Sequence, residues 1–211
     1  MKKSITILAG LWLMLATGMA SAQNTSDELV KATVKNIRDH KNVELTFDYQ
    51  YALDDQNASE KQQGTAFLQG ECYKVQLIDQ EIISDGKSIW NYIFDNEEVT
   101  LSNTSEGEDN TPLKLITMLD KDYTAKSITS EADKAQQLER VLLSNPKGQF
   151  KEITAVINPK DKLLKNIVFH FDDGSSMVLE NIQMKFDQNL KDSFFRFDSK
   201  ANPNIDIIDM R

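Results

Sequence analysis

The chain is poor in the residues that most protein chemistry needs. A single cysteine, Cys72, among 211 residues leaves no internal disulfide to form. Two histidines, His40 and His170, cannot assemble a zinc cage with that one cysteine. Eight glycines and four prolines exclude collagen-like and low-complexity organisation. Cations are in deficit, with 24 Lys and Arg against 33 Asp and Glu, for a formal charge of −9. A nucleic-acid binder needs a cationic footprint, and so does simple electrostatic docking on anionic lipid, so neither is expected.

Catalytic signatures are equally thin. Gly174-Ser175-Ser176 lacks the last glycine of G-x-S-x-G and falls on a hairpin turn. His40 reads as the end of a helix, and His170 sits between Phe169 and Phe171 on a strand, so neither has the setting of a general base. Cys72 has no sequence neighbour that would lower its pKa. The pairs Asp54-Asp55 and Asp172-Asp173 lie in turns and lack the spacing of a calcium loop. The expectation is a protein without catalytic residues, metal or cofactor.

One long apolar stretch occurs, Ile5 to Leu15, broken only by Gly10. Lys2 and Lys3 precede it, and Ala20-Ser21-Ala22 follows as a small-residue cleavage site. The stretch is shorter than a membrane span requires. Residues 1–22 therefore read as a cleaved secretory signal, residues 23–211 as a single domain, and the periplasm as the compartment. No cysteine lies near the cleavage site, so the chain is not expected to be a lipoprotein itself.

Residues 26–40 carry Val30, Val34 and Ile37 at helical spacing, with Thr25 and Glu28 as a capping box. The period then changes to two. Val43, Leu45, Phe47, Tyr49, Tyr51 and Leu53 alternate with mostly polar residues, which predicts a strand with one apolar face. Shorter strands are expected near 61–69, 71–78, 80–84, 88–94 and 97–102, and again near 122–129, 136–144, 149–158, 163–171, 175–187 and 205–209. Asp85-Gly86 and Asp172-Asp173-Gly174 supply tight turns. Residues 103–111 contain nothing apolar and form a loop, after which Pro112 opens a short helix carrying Leu113, Leu115, Ile116, Met118 and Leu119. The sum is a mainly β, antiparallel domain of about eleven strands with one helix in front and one inserted in the middle. A shell that large holds either a plugging helix or a ligand. The aromatics Tyr49, Tyr51, Tyr73, Trp90 and Tyr92 could line such a cavity, although an alternating aromatic strand is more often plain sheet core than a ligand wall.

Several segments together resemble one family. Ile82-Ile83-Ser84-Asp85-Gly86-Lys87-Ser88-Ile89-Trp90-Asn91-Tyr92 is similar to the central hairpin of the periplasmic outer-membrane lipoprotein carriers (LolA). Glu97-Glu98-Val99, Asn110-Thr111-Pro112-Leu113-Lys114-Leu115-Ile116, Phe195-Arg196-Phe197-Asp198 and Ile205-Asp206-Ile207-Ile208-Asp209 follow in the family's order, the last two as its closing strands. The resemblance implies an unclosed β-barrel covered by a helical lid. It implies a carrier that takes acylated lipoproteins from an inner-membrane release complex to an outer-membrane receptor, without nucleotide or metal and as a monomer. The candidate cavity wall is Leu45, Phe47, Tyr49, Tyr51, Tyr73, Val75, Trp90 and Tyr92, and the candidate lid is Leu113, Leu115, Ile116 and Leu119. The family latches its lid with an arginine before the third strand, where this chain reads Gln69-Gly70-Glu71. The alternative is an envelope-stress regulator that binds lipid or lipoprotein on the same shell.

Overall fold

The period-two stretch at the front of the chain is realised as strand β1, Val43–Ala52, at the middle of one long sheet. A computed structural model describes residues 16–53, 58–104, 116 and 118–211, with side chains from residue 25 onward. Most of the expected secretory signal, and the expected lid positions Leu113 and Leu115, lie outside the described residues. Strands β2 (Gln62–Gln69), β3 (Cys72–Gln76), β4 (Gln80–Ser84), β5 (Ser88–Ile93) and β6 (Glu98–Asn103) spread to one side of β1 as a meander. On the other side lie β11 (Ser176–Phe186), β10 (Leu163–His170), β9 (Glu152–Asn158), β8 (Glu139–Ser144) and β7 (Thr124–Ser127). The last strand, β12 (Asp206–Asp209), pairs with β6 and completes a sheet of 12 strands. Its two end strands, β12 and β7, do not pair with each other, so the barrel is unclosed.

The expected strands are all present, with one departure from antiparallel pairing. Strand β12 runs parallel to β6, with Ile207 opposite Val99. A parallel neighbour cannot be reached by a tight hairpin and needs a crossover. Here the segment after β11 supplies it. The expectation that Phe195-Arg196-Phe197 forms a closing strand is corrected accordingly. Asp192–Phe195 is a 3-10 helix, and its phenylalanines pack onto the sheet instead of pairing with it.

Pairing register shows which residues share a face. Leu45 stands opposite Ala66, Ala66 opposite Val75, and Val75 opposite Ile82. On the other side Tyr49 stands opposite Leu179, Leu179 opposite Ile167, and Ile167 opposite Ala155. These residues belong to the concave face, and helix α1 (Ala16–Arg38) lies across part of it. Val30, Val34 and Ile37, the predicted stripe, are all buried there. Two polar contacts fix the helix. The Asp27 carboxylate accepts the Ala125 amide of β7 at 2.7 Å, and the Arg38 guanidinium grips Asp120 at 3.1 and 3.2 Å. The helix begins upstream of the expected capping box, so Thr25 lies within it. Ala16, Met19, Ala20 and Ala22 are good helix formers and carry the helix up to Gln23.

The convex face carries a second cluster over β3–β6. Ile83, Val99, Leu101 and Phe195 are buried but stand apart from the main core. The crossover covers them. Phe194 meets Phe67 edge-on at 4.9 Å and lies 5.0 Å below the Lys74 ammonium, while Phe197 meets Tyr92 at 5.9 Å. Arg196 ties the strap to Asp85 of the β4–β5 turn at 3.2 Å. Gly86 in that turn has φ +84, a conformation that side-chain-bearing residues resist.

One element had no counterpart in the periodicity. Helix α2 (Glu131–Ala135) is a single turn, begun by a reciprocal cap in which Ser130 Oγ accepts the Asp133 amide and Asp133 accepts the Ser130 amide. Asp133 is also held bidentately by Arg140 of β8 at 2.8 and 3.1 Å. The Arg140 guanidinium, helped by Ser130, keeps the Asp133 carboxyl far below the usual carboxylate range.

Two outcomes follow from this packing. Phe195→Ala removes a fully buried ring and is expected to cost about 3–5 kcal/mol in chemical denaturation. Asp133 stays ionised in the folded protein below the ordinary value of about 3.9, so its contribution is complete above that pH and is lost as pH falls toward the depressed folded value. The stability gap between wild type and Asp133→Asn, read from urea midpoints, is therefore expected to be larger at about pH 7 than at about pH 3.

Candidate functional site

On the concave face, beside the area α1 covers, the sheet leaves an apolar cavity of about 190 Å³. Strand β1 supplies Leu45, Phe47, Tyr49 and Tyr51; β2 supplies Ala66 and Leu68; Val75 and Leu77 come from β3 and the residue after it. The opposite wall is Leu164, Ile167 and Phe169 of β10 with Met177, Leu179 and Ile182 of β11, and Ile116 closes one side. The wall is apolar apart from two phenol groups. Tyr49 is buried, its hydroxyl lies 3.5 Å from the donating Ile78 amide, and burial raises its pKa. Tyr51 is half-exposed at the mouth.

Gly64 shapes the wall. It stands opposite Phe47, whose ring lies across it: a Cβ at Gly64 would come within 2.5 Å of Phe47 Cε2 and 3.1 Å of Leu77 Cδ2. Only the missing side chain lets the ring lie flat against the strand. Behind Ile116 and Leu164, a narrow void of about 10 Å³ separates the cavity from Val30, Val34 and Ile37 of α1. The Thr33 hydroxyl borders that void and has no hydrogen-bond partner among the described residues.

Two wider clefts, of about 560 and 590 Å³, are also present, the second adjoining the cavity at Phe47 and Ile182. Their linings include Glu28, Glu139 and Lys162 in one, and Asp48, Gln63 and Lys165 in the other, so neither presents a continuous apolar wall.

The structure brings five of the expected wall residues together: Leu45, Phe47, Tyr49, Tyr51 and Val75. Tyr73 is buried on the same face, in the main core and not at the cavity. Trp90 and Tyr92 are not brought to it. Trp90 stands opposite Ile83 and Leu101, and Tyr92 opposite Val99, which places both on the convex face under the C-terminal strap. Of the described lid positions, Ile116 borders the cavity, while Leu119 is buried against α1 in the 3-10 turn Met118–Asp120. The β10 and β11 wall was missed from sequence because runs such as Ile167-Val168-Phe169 do not show which residue faces inward.

The other candidate groups play structural parts. His40 stacks on Phe186 at 4.0 Å and bonds Asp187 at 2.8 Å, joining the end of α1 to the end of β11. His170 bonds Thr154 on the exposed face. Burial pushes the Cys72 thiol up, the reverse of an activated thiolate. Among the described residues, no three His, Cys, Asp or Glu side chains gather where they could hold a metal ion.

These features define a class: an open half-barrel whose concave side holds an apolar pocket partly covered by a helix. The family model for the outer membrane lipoprotein carrier protein LolA matches residues 78–198, more than half of the chain. The chain belongs to the LolA family. No curated protein matches it. Among solved structures it is similar to an uncharacterised conserved protein from Thermus thermophilus, at 11% identity and a TM-score of 0.54 over 88% of this chain and 99% of that one. It is also similar to a LolA superfamily protein from Nitrosomonas europaea, at 11% identity and a TM-score of 0.42 over 82% and 97% of the two chains. A third likeness is to the Pseudomonas aeruginosa MucA/MucB complex, at 7% identity and a TM-score of 0.41 over 83% of this chain and 62% of that one.

If Phe47 and Gly64 shape the cavity together, Gly64→Val is expected to lower affinity for a fluorescent fatty-acid probe at least about fivefold, from crowding typical of an overfilled core. Trp90→Ala is expected to leave probe affinity unchanged while lowering the denaturation midpoint. Titration and urea unfolding of both variants check this.

Proposed function

We propose that the chain is a periplasmic carrier that takes the acyl chains of lipoproteins into the concave pocket and moves them from the inner to the outer membrane. One observation carries this reading: an apolar cavity, built by β1, β2, β10 and β11 and open at Tyr51, in a member of a lipoprotein-carrier family. The segment 1–22, read as a cleaved signal, supplies the route to the periplasm. An inner-membrane release complex would load the carrier, and an outer-membrane receptor would unload it.

The energetics suit the task. Each methylene removed from water is worth about 0.8 kcal/mol, so one long acyl chain carries on the order of 10 kcal/mol of hydrophobic penalty. Ligand pockets usually measure about 300–1,000 Å³. The cavity, at about 190 Å³, is smaller than that. Ile116 and Leu164 form the partition between it and the void under α1. Withdrawal of Ile116, as part of a lid with Leu119, would join the two spaces and lengthen the slot along the helix. Function on this reading is binding and release, with no bond made or broken.

Leu179→Glu places a carboxylate in the wall and is expected to lower affinity for an acylated peptide more than about tenfold, since an unpaired charge would be desolvated on binding. Native purification followed by mass spectrometry is the direct test. Co-purifying acylated lipoproteins support the proposal. A protein that never carries lipid, or that recovers a membrane-bound anti-sigma factor instead, overturns it. Separately, Thr33→Val removes a buried hydroxyl without a partner and is expected to raise the stability of the empty protein by about 1 kcal/mol in urea.

A further inference from the structure

Several of the large apolar side chains left exposed among the described residues gather at one end of the sheet, while Ile128, Ile207, Ile208 and Met210 lie on or just after the edge strands β7 and β12. Tyr51 is 52% exposed and Leu53 72% at the end of β1, and Ile78 is 64% exposed in the β3–β4 turn. Ile93 is exposed at the β5–β6 turn and Phe171 at the β10–β11 turn. Pairing puts all four places at the same end. Ala52 faces Ser176 at the start of β11, Ile93 faces Gln80 at the start of β4, and the Phe94 amide donates to the Asp79 carbonyl. This arc is continuous with the cavity, because Tyr51 and Leu77 line its mouth. Exposed apolar residues scattered singly need no explanation, but an arc of them around the mouth of an apolar pocket does.

Resting on the carrier reading above, we infer that this rim settles on a neutral, zwitterionic lipid bilayer beside the release complex and the receptor, so that the acyl chain they hand over does not cross water. Three observations select this occupant. The side chains stand on the tips of separate turns, not on a flat face or in a groove, which suits shallow insertion at an interface. Tyr51 adds an aromatic ring with a polar end, the kind enriched at membrane–water boundaries. The charges at the tips are acidic: Asp79 follows Ile78, Asp95 follows Phe94, and Asp172 and Asp173 follow Phe171. Of the lysines at this end, Lys61 is paired to Glu180 and Lys151 to Asp172 at 3.0 Å, and Lys147 of the β8–β9 turn is exposed. The tip carboxylates outnumber Lys147, so they repel an anionic surface and leave adhesion mainly to the apolar side chains. Those same carboxylates keep insertion shallow and contact brief.

The test is flotation with phosphatidylcholine–phosphatidylethanolamine vesicles, comparing the intact chain lacking residues 1–22 with its Leu53→Asp/Ile78→Asp variant. Both substituted residues are well exposed, so the variant is expected to keep the wild-type denaturation midpoint. Wild type is expected to float with vesicles, the variant at least about tenfold less, and both less when phosphatidylglycerol is added. Absence of wild-type flotation, equal flotation of the two proteins, or stronger flotation with phosphatidylglycerol overturns the inference. Binding that needs a protein partner in the vesicles also overturns it. A fatty-acid probe in solution separates this from the carrier reading: the rim variant is expected to bind the probe as wild type does. Failure of both proteins to bind it would sink the pocket and not the rim.

Discussion

Among the described residues, more apolar surface lies on the concave face of this sheet than helix α1 covers, and that imbalance governs the molecule. Strands β1, β2 and β8–β11 all turn aliphatic and aromatic side chains inward. Helix α1 buries part of that surface through Val30, Val34 and Ile37, and the remainder faces a cavity. An unfilled apolar cavity costs on the order of 24 cal/mol per Å³ where a core has been hollowed out, which for about 190 Å³ gives at most about 5 kcal/mol. That is comparable to the whole stability of many domains. A protein that keeps such a space must hold its walls apart by other means. The sheet does so through its length and its two separate hydrophobic clusters. The convex cluster under Phe195 stands apart from the core that lines the cavity.

The division into two faces also explains what could be read in advance. Alternation along β1 identified Leu45, Phe47, Tyr49 and Tyr51 because one face of that strand is apolar and the other polar. Near the β4–β5 hairpin the same logic fails. Ile82 and Ile83 are adjacent and point to opposite faces, and both find apolar company, one toward the concave side and one beneath the C-terminal strap. Alternation shows that Trp90 and Tyr92 share a face but not which face. The answer depends on a strap more than a hundred residues later in sequence, which local pattern does not show. The family resemblance carried the fold, but it names no face for a given residue either.

Short elements were illegible for a different reason. Helix α2 is one turn and shows no period, yet its capping pair Ser130 and Asp133 was present in the sequence as S-x-x-D. Without an apolar run behind it, that pattern has nothing to announce. What holds α2 is a tertiary partner, Arg140, and it leaves no local trace. The parallel course of β12 is likewise a product of the crossover, since nothing in the pattern of Ile205 to Asp209 marks which way the strand will run.

Family membership rests on residues 78–198, which begin in the β3–β4 turn. The matched region therefore holds the hairpin, the convex cluster and the β10–β11 wall, while the β1–β3 wall lies before it. The part of the pocket that most sets its shape, Phe47 lying over Gly64 with Leu77 behind, thus stands outside the matched region. A shared half-barrel with a wall free to differ is what divergence of cargo would require. On the proposed carrier reading, the frame keeps its edges apart and its strap in place for any ligand, whereas the length and branching of the chain admitted would depend on a few side chains of β1 and β2. Selectivity among apolar ligands by such contacts is modest, roughly 10–200-fold per methylene-sized difference. Discrimination finer than that has to come from the polar part of the ligand outside the mouth, where Tyr51 and the acidic turn tips stand.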